Sequence, residues 1–251
     1  MFINFNIEKC LKAKEELHKY DIVGKIWREN FSPSNSIGNC TYLYRLLNPE
    51  NYIDFYKKYI EYADKNSLLN IWKRGLTEEE IIKLAINYKE LVEKNSNINK
   101  PFETYLYDAI CHIIVETYDG QFQEKEFIEY LKEKGFNCTK FDSNIDTKYG
   151  VDIKVTTDVN KVFAIQIKPI SFFLSNRQDV INDRINLCIK YEKALKELNI
   201  KTYYAIYDKN KKTNEIKWFK NKDNGFKFRI TDLLTYDIIG LCIRLILLKI
   251  L

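Results

Sequence analysis

The sequence predicts an α/β protein: a mixed β-sheet flanked by helices, preceded by a helical N-terminal region. Three observations carry this. Apolar residues recur at three- and four-residue spacing through the first hundred positions, the period of an amphipathic helix. Beyond about Phe136 the chain breaks into short runs rich in β-branched and aromatic residues, separated mostly by polar turns. One long helical stretch, about Asn176 to Leu198, lies between the third and fourth of these runs, and strands alternating with a helix make a mixed sheet.

The elements follow in order. "IEKCLKAKEELHKY" and "YIDFYKKYIEYADK" read as helices. "LTEEEIIKLAINYKELVEK" opens with Thr77 and Glu80 at capping-box spacing, with acids in the first turn to complement the helix dipole. Between the first helices, Arg28 to Tyr44 predicts a long polar loop. Phe102 to about Tyr118 is helical again, and Asp119–Gly120 is expected to end it. The next helix, from Gln121, closes at Gly135. Five strands are expected in "FNCTKFD", "GVDIKV", "KVFAIQIKP", "TYYAIYD" and "EIKWFK". No linker or internal repeat interrupts the chain. Residues 1–100 form the helical region, and residues 101–251 the α/β core with a C-terminal helix.

Bulk properties narrow the class. The chain has 251 residues, enough to bury a substantial core, and a formal charge of only +5. The six cysteines show no paired spacing, which argues against zinc or a disulfide framework and for reduced thiols in the cytoplasm. His18 and His112 stand far apart and read as structural. The N-terminus lacks a signal-peptide pattern. "IIGLCIRLILLKIL" at the C-terminus is shorter than the ~20 apolar residues a membrane span needs, so no membrane association is expected.

Chemistry concentrates in "GVDIKVTTDVNKVFAIQIKPISFF". Strand alternation puts Val151, Ile153 and Val155 on one face and Asp152 and Lys154 on the other. In the following strand Val162, Ala164, Gln166 and Lys168 share a face opposite Phe163, Ile165 and Ile167. Paired strands would bring Asp152, Gln166 and Lys168 to one edge. Carboxylate and amide oxygens suit Mg²⁺, and an adjacent ammonium can orient water or stabilise phosphate charge. Upstream, Glu124 lies at offsets of three, four and seven from Phe127, Ile128 and Leu131. It therefore faces the sheet, a costly place for a carboxylate without a partner.

"GVDIKV…VFAIQIKP" resembles the active-site hairpin of the PD-(D/E)XK nuclease superfamily. In that pattern an acid at one strand is followed by Asp/Glu-x-Lys in the next. Asp152 matches the acid, Lys168 the lysine, and Gln166 stands where most members carry a carboxylate, as in the QxK variants of Mrr-like and some type II restriction enzymes. The helix around Glu124 is similar to the Mrr-like layout, and "QIKPISFF" resembles MjaI-type restriction enzymes. The resemblance implies a restriction-endonuclease-like core. It implies that Asp152, Gln166, the Ile167 carbonyl and Glu124 hold Mg²⁺, with Mn²⁺ as a substitute, and that Lys168 serves the attacking water. Glu116 is the other candidate for the extra carboxylate. The implied activity is hydrolysis of double-stranded DNA to 5′-phosphate and 3′-hydroxyl ends by a homodimeric type II restriction enzyme with a companion DNA methyltransferase. A modification-dependent or structure-specific repair nuclease, and a DNA-binding module without catalysis, remain as alternatives.

Nucleic acid has expected contacts. Lys201 to Arg229 carries nine basic residues against three acids, with aromatics between them. Lys209, Lys211 and Lys212 belong to it, and Lys154 sits beside Asp152. Asn176, Arg177 and Gln178 would stand at a helix start capped by Ser175 or Asn176, a natural phosphate site. The loop from Arg28 to Tyr44 is the candidate DNA-contacting arm.

Overall fold

The structure, a computed structural model, describes residues 3–31, 36–133, 135–156, 160–209 and 216–218. The chain divides into two compact units, residues 1–123 and 124–251.

The first unit is helical. Its elements are α1 (Ile7–Leu17), α2 (Asp21–Asn30), α3 (Cys40–Leu47), α4 (Tyr52–Lys65), α5 (Glu78–Asn95) and α6 (Phe102–Ile110). A π-helical turn, Cys111–Val115, leads into α7 (Glu116–Glu133). Asn6, Asn39, Asn51 and Thr77 each accept a first-turn amide, so four of these helices carry side-chain caps. At the centre Trp27 is buried among Phe31, Tyr88 and His112, the last stacked on the indole at 4.5 Å. The histidines are both tied into this unit: His18 Nε2 lies 3.3 Å from Asp108, and His112 Nδ1 lies 3.0 Å from Glu116.

The capping box at α5 forms as predicted, and Arg74 adds a two-pronged ion pair to Glu80, both contacts at 2.7 Å. The guanidinium, with the Thr77 amide, holds the Glu80 carboxyl down to about 2. The depressed value means that this contribution is present above the usual carboxylate range, about pH 4.5, and is lost as pH falls toward 2. Glu80→Gln is expected to lower stability by roughly 2 kcal/mol at pH 7 and by less than half of that at pH 3, measured by urea unfolding.

Two expectations change here. The Arg28–Tyr44 loop is far shorter than predicted, because α2 continues to Asn30 and α3 starts at Cys40. Phe31 and Ile37 are buried and anchor the connection. Gly38, at φ 74°, lies where a Cβ would come within 2.4 Å of the Ile71 carbonyl oxygen and 2.6 Å of that of Arg74. Asp119–Gly120 does not end a helix either: α7 runs through it. Tyr118 and Gln121 are buried on either side, and the Asp119 carboxylate accepts a hydrogen bond from the Tyr52 hydroxyl. These contacts outweigh the ~1 kcal/mol cost of an internal glycine.

The second unit is α/β. Its elements are β1 (Asn137–Lys140), α8 (Ser143–Tyr149), β2 (Ile153–Thr156), β3 (Val162–Pro169), α9 (Ile170–Leu174), α10 (Gln178–Leu198), β4 (Lys201–Lys209) and β5 (Ile216–Trp218). The sheet order is β1-β2-β3-β4-β5, with β3–β4 parallel and the other pairs antiparallel. The mixed sheet flanked by helices is the predicted class. Phe127, Ile128 and Leu131 of α7 pack on one face, against Ile153, Val155, Phe163, Ile165 and Ile167. The other face, with Ala164 and Tyr204, takes Tyr149, Phe173, Tyr191 and Ala194 from α8, α9 and α10. Gly135 at φ 86° turns the chain from α7 into β1, as predicted.

Three details differ from the sequence expectation. The short α8 separates β1 from β2: Asp142 caps it by accepting from the Asn144 and Ile145 amides at 3.0 Å, and Gly150 at φ 65° closes it. In consequence β2 starts at Ile153, and Val151 packs with the α10 face instead of with Ile153 and Val155. Finally, the N-cap of α10 is Arg177 and not Ser175 or Asn176, because α9 takes up Ile170–Leu174 first. The Arg184 guanidinium pins that corner by donating to the Phe173 and Ser175 carbonyls at 2.6 and 2.8 Å.

Candidate functional site

The site is built where β2 leaves β3. Ile153 pairs with Ile165, so Asp152 stands one step before the strand, opposite Gln166. Its backbone is held from both sides: its amide donates to Ile165 O, and its carbonyl accepts from the Phe141 amide, both at 3.2 Å. Its carboxylate then takes the place of a missing strand neighbour. Oδ2 accepts from the Ile167 amide at 2.9 Å and from Gln166 Nε2 at 2.5 Å. The hairpin expected from the sequence therefore does bring Asp152 and Gln166 together. Ile167 meets Asp152 through its amide, and the expected alternation of β3 holds, with Ile167 on the α7 face.

Gln166 is 3% exposed, flanked by Asp152 on one side and by the β4 residue Tyr204 on the other. Its Oε1 is buried without a hydrogen-bond partner among the described residues. An unsatisfied buried acceptor costs about 1–3 kcal/mol and calls for a function or an unseen partner. Lys168, two residues on and half-buried, lies over the Phe172 ring of α9 at 5.6 Å.

Charge is unevenly balanced around Asp152. Burial pushes its carboxyl up to about 7, and the Glu124 charge pushes in the same direction. The Lys168 ammonium and the Ile167 amide pull it back, while Asp146 of α8 adds to the rise. Glu124 and Lys168 thus both act on Asp152 electrostatically, in opposite directions. Glu124 is 12% exposed and is bridged by Lys140 of β1 at 2.7 Å. Glu116, the other candidate carboxylate, is committed within the first unit to Lys14 and His112.

Sequence reasoning missed Lys140 and Asp146. Lys140 was legible: it shares the face of buried Cys138 in β1, which packs with α7, so it points toward the helix that carries Glu124. Asp146 was hidden because no element was assigned between the first two expected strands, where α8 forms.

Among the described residues, no group of three or more His, Cys, Asp or Glu side chains is disposed to hold a metal ion. The donors gathered here are fewer: the Asp152 carboxylate, the unpartnered Gln166 oxygen, and the charge of Glu124. Such a sparse oxygen set fits a cation that keeps most of its waters.

The predicted DNA contacts are dispersed. Asn176, Arg177 and Gln178 are exposed at the start of α10. Arg177 pairs with Asp179 at 2.7 Å, and Gln178 bonds Asn182 at 3.0 Å. Lys154 is half-buried, opposite Ala164. Lys209 ends β4, and Lys211, Lys212 and the C-terminal stretch 238–251 lie outside the described residues. No helix among the described residues is long and apolar enough to cross a membrane. No protein-family model, curated protein or solved structure matches this chain.

Proposed function

We propose that the protein is a Mg²⁺-dependent endonuclease acting on double-stranded DNA, a type II restriction enzyme with a restriction-endonuclease-like core. The observation that carries this reading is the Asp152–Gln166 pair, joined across adjacent strands, with Lys168 two residues further on and Glu124 bearing on the same carboxylate. The orphaned Gln166 oxygen fits a cation as ligand once the amide turns toward it.

Asp152 and Gln166 would hold Mg²⁺ or Mn²⁺ directly, with the Ile167 carbonyl as a third donor and Glu124 close by or through water. Bound there, the ion would supply charge at the scissile phosphate and lower the pKa of a water. The chain's own residues do the rest. Lys168 orients the attacking water and stabilises charge on the phosphate oxygens. Asp152, fixed by the Ile167 amide, keeps the donors in place during an in-line displacement. Water forms the new bond to phosphorus, the bond to O3′ breaks, and the leaving oxygen takes a proton, giving 5′-phosphate and 3′-hydroxyl ends. Asn176, Arg177, Gln178, Lys154 and Lys209 with its neighbours Lys211 and Lys212 are the proposed duplex contacts. The working unit in this reading is a cytoplasmic homodimer, with a companion DNA methyltransferase protecting the host's sites.

Phage DNA incubated with the protein and Mg²⁺ tests this. Discrete fragments are expected from wild type, and a loss of at least about 10³-fold in rate from Asp152→Ala or Lys168→Ala. Metal-independent binding with no cutting by any form would instead mean a DNA-binding module.

A further inference from the structure

The helical unit holds a polar cavity of about 530 Å³ where two walls meet. One wall is the π-helical turn Cys111–Val115 with the start of α7. There the Glu116 amide donates to the Cys111 carbonyl, five residues back. Widened turns of this kind are rare and frequently sit at functional sites. This one brings His112, Glu116 and Thr117 to the cavity. The other wall is the start of α3, with Asn39, Cys40 and Thr41.

The contacts already made decide what chemistry is left over. The acceptors are engaged. Glu116 Oε1 accepts from the Lys14 ammonium. Its Oε2 lies 3.0 Å from His112 Nδ1, close enough for an ion pair though not aligned as a hydrogen bond. Asn39 Oδ1 accepts from the Tyr42 amide at 2.9 Å. The Ile37 carbonyl accepts from the Tyr59 hydroxyl at 3.0 Å and the Cys40 thiol at 3.5 Å. What remains on the walls is donors: the Asn39 amide nitrogen, the Thr41 and Thr117 hydroxyls, and Nε2 of His112, on the ring edge away from Glu116.

Charge points the same way. Two cations, Lys14 and His112, share the single carboxylate of the cavity. Burial works against the imidazolium, yet Glu116, with Asp108 behind it, raises the His112 pKa above its usual value. Asp108 is turned to Trp27, Tyr88 and His18 and does not line the cavity. Burial pushes the Cys40 thiol up to about 12, so it stays neutral. The first turn of α3 adds the positive end of its dipole.

We propose that this cavity binds the phosphate group of a small phosphomonoester, with His112, Thr41, Thr117 and Asn39 as donors. The phosphate oxygens supply the acceptors that the walls lack. The volume exceeds a bare ion and falls in the range of small-molecule sites, and Ile37 and Cys40 offer apolar surface to the organic part.

Isothermal titration calorimetry of the full chain in EDTA tests this without any nuclease activity. The probes are inorganic phosphate, ribose 5-phosphate and deoxyadenosine 5′-monophosphate. At least one ester is expected to bind with a Kd below about 1 mM and roughly tenfold tighter than inorganic phosphate, while deoxyadenosine does not bind. Thr41→Glu should weaken binding at least tenfold. A first-turn glutamate suits the helix dipole, so the fold is kept while the anion is repelled. His112→Gln should weaken binding likewise, with thermal unfolding checking that both variants are folded. Lys168→Ala, in the other unit, should bind as wild type does. The proposal is overturned if neither ester binds at about 10 mM, or if deoxyadenosine binds equally well. It is also overturned if Thr41→Glu and His112→Gln leave the Kd unmoved, or if Lys168→Ala abolishes binding.

Discussion

Asp152→Asn is expected to give a protein that no longer cuts DNA yet resists unfolding better than wild type when metal is chelated. The wild-type carboxylate is half-buried beside the Glu124 charge, and both raise its pKa to about 7. With the folded value above the ordinary one, its favourable contribution is complete below about pH 4 and is lost as pH rises through about 7. An asparagine carries no charge to lose. Its Oδ1 accepts from the Ile167 amide in place of the carboxylate. Gln166 Nε2 keeps its bond to that same oxygen, since both donors meet one atom of the carboxylate. The gain should be roughly 1–3 kcal/mol at pH 8 and near zero at pH 4. Urea unfolding in EDTA at both pH values measures it. A variant less stable at pH 8, or a difference that ignores pH, would count against the electrostatic account. Added Mg²⁺ should stabilise wild type and leave the variant unchanged, since the ligand is gone.

Asp108→Ala should be the most damaging single change in the helical unit. Asp108 is 1% exposed and accepts from Trp27 Nε1 at 3.2 Å and from the Tyr88 hydroxyl at 2.9 Å, with His18 at 3.3 Å. Removing it leaves two buried donors and an ionisable ring without a partner, a loss of about 3–5 kcal/mol. Asp108→Asn keeps one acceptor oxygen and should cost less than half as much. Equilibrium unfolding followed by Trp27 fluorescence reads both, because the indole sits in the network.

Legibility from the sequence followed how local the determining physics is. The capping box at Thr77 and Glu80, the β3 parity that separates Gln166 from Ile165 and Ile167, and the inward face of α7 are all set by spacing alone, and each was readable. That paired strands would bring Asp152 and Gln166 together was readable too, while the register that does so, Ile153 opposite Ile165, comes from the structure. What escaped depends on contacts distant in the chain. Gly120 is tolerated inside α7 because Tyr118 and Gln121 are buried and Tyr52 reaches Asp119. Phe31 and Ile37 turn an apparent polar loop into a pinned corner. The Glu124–Lys140 bridge needed the position of β1 against α7, which no single-strand pattern contains. The basic stretch after Lys209 falls mostly outside the described residues.

The sheet's mixture of directions also orders events in time. Asp152 and Gln166 meet across only 14 positions of chain, within a hairpin. Gln166 and Tyr204 pair in parallel strands, and α9 and α10 must first be traversed. Closing the longer span costs about 0.9 kcal/mol more in loop entropy, and non-local parallel pairing is intrinsically slow. The donor pair can therefore come together as a nascent hairpin before the second half of the sheet arrives to bury it, and late docking of β4 is the step that withdraws Gln166 from water.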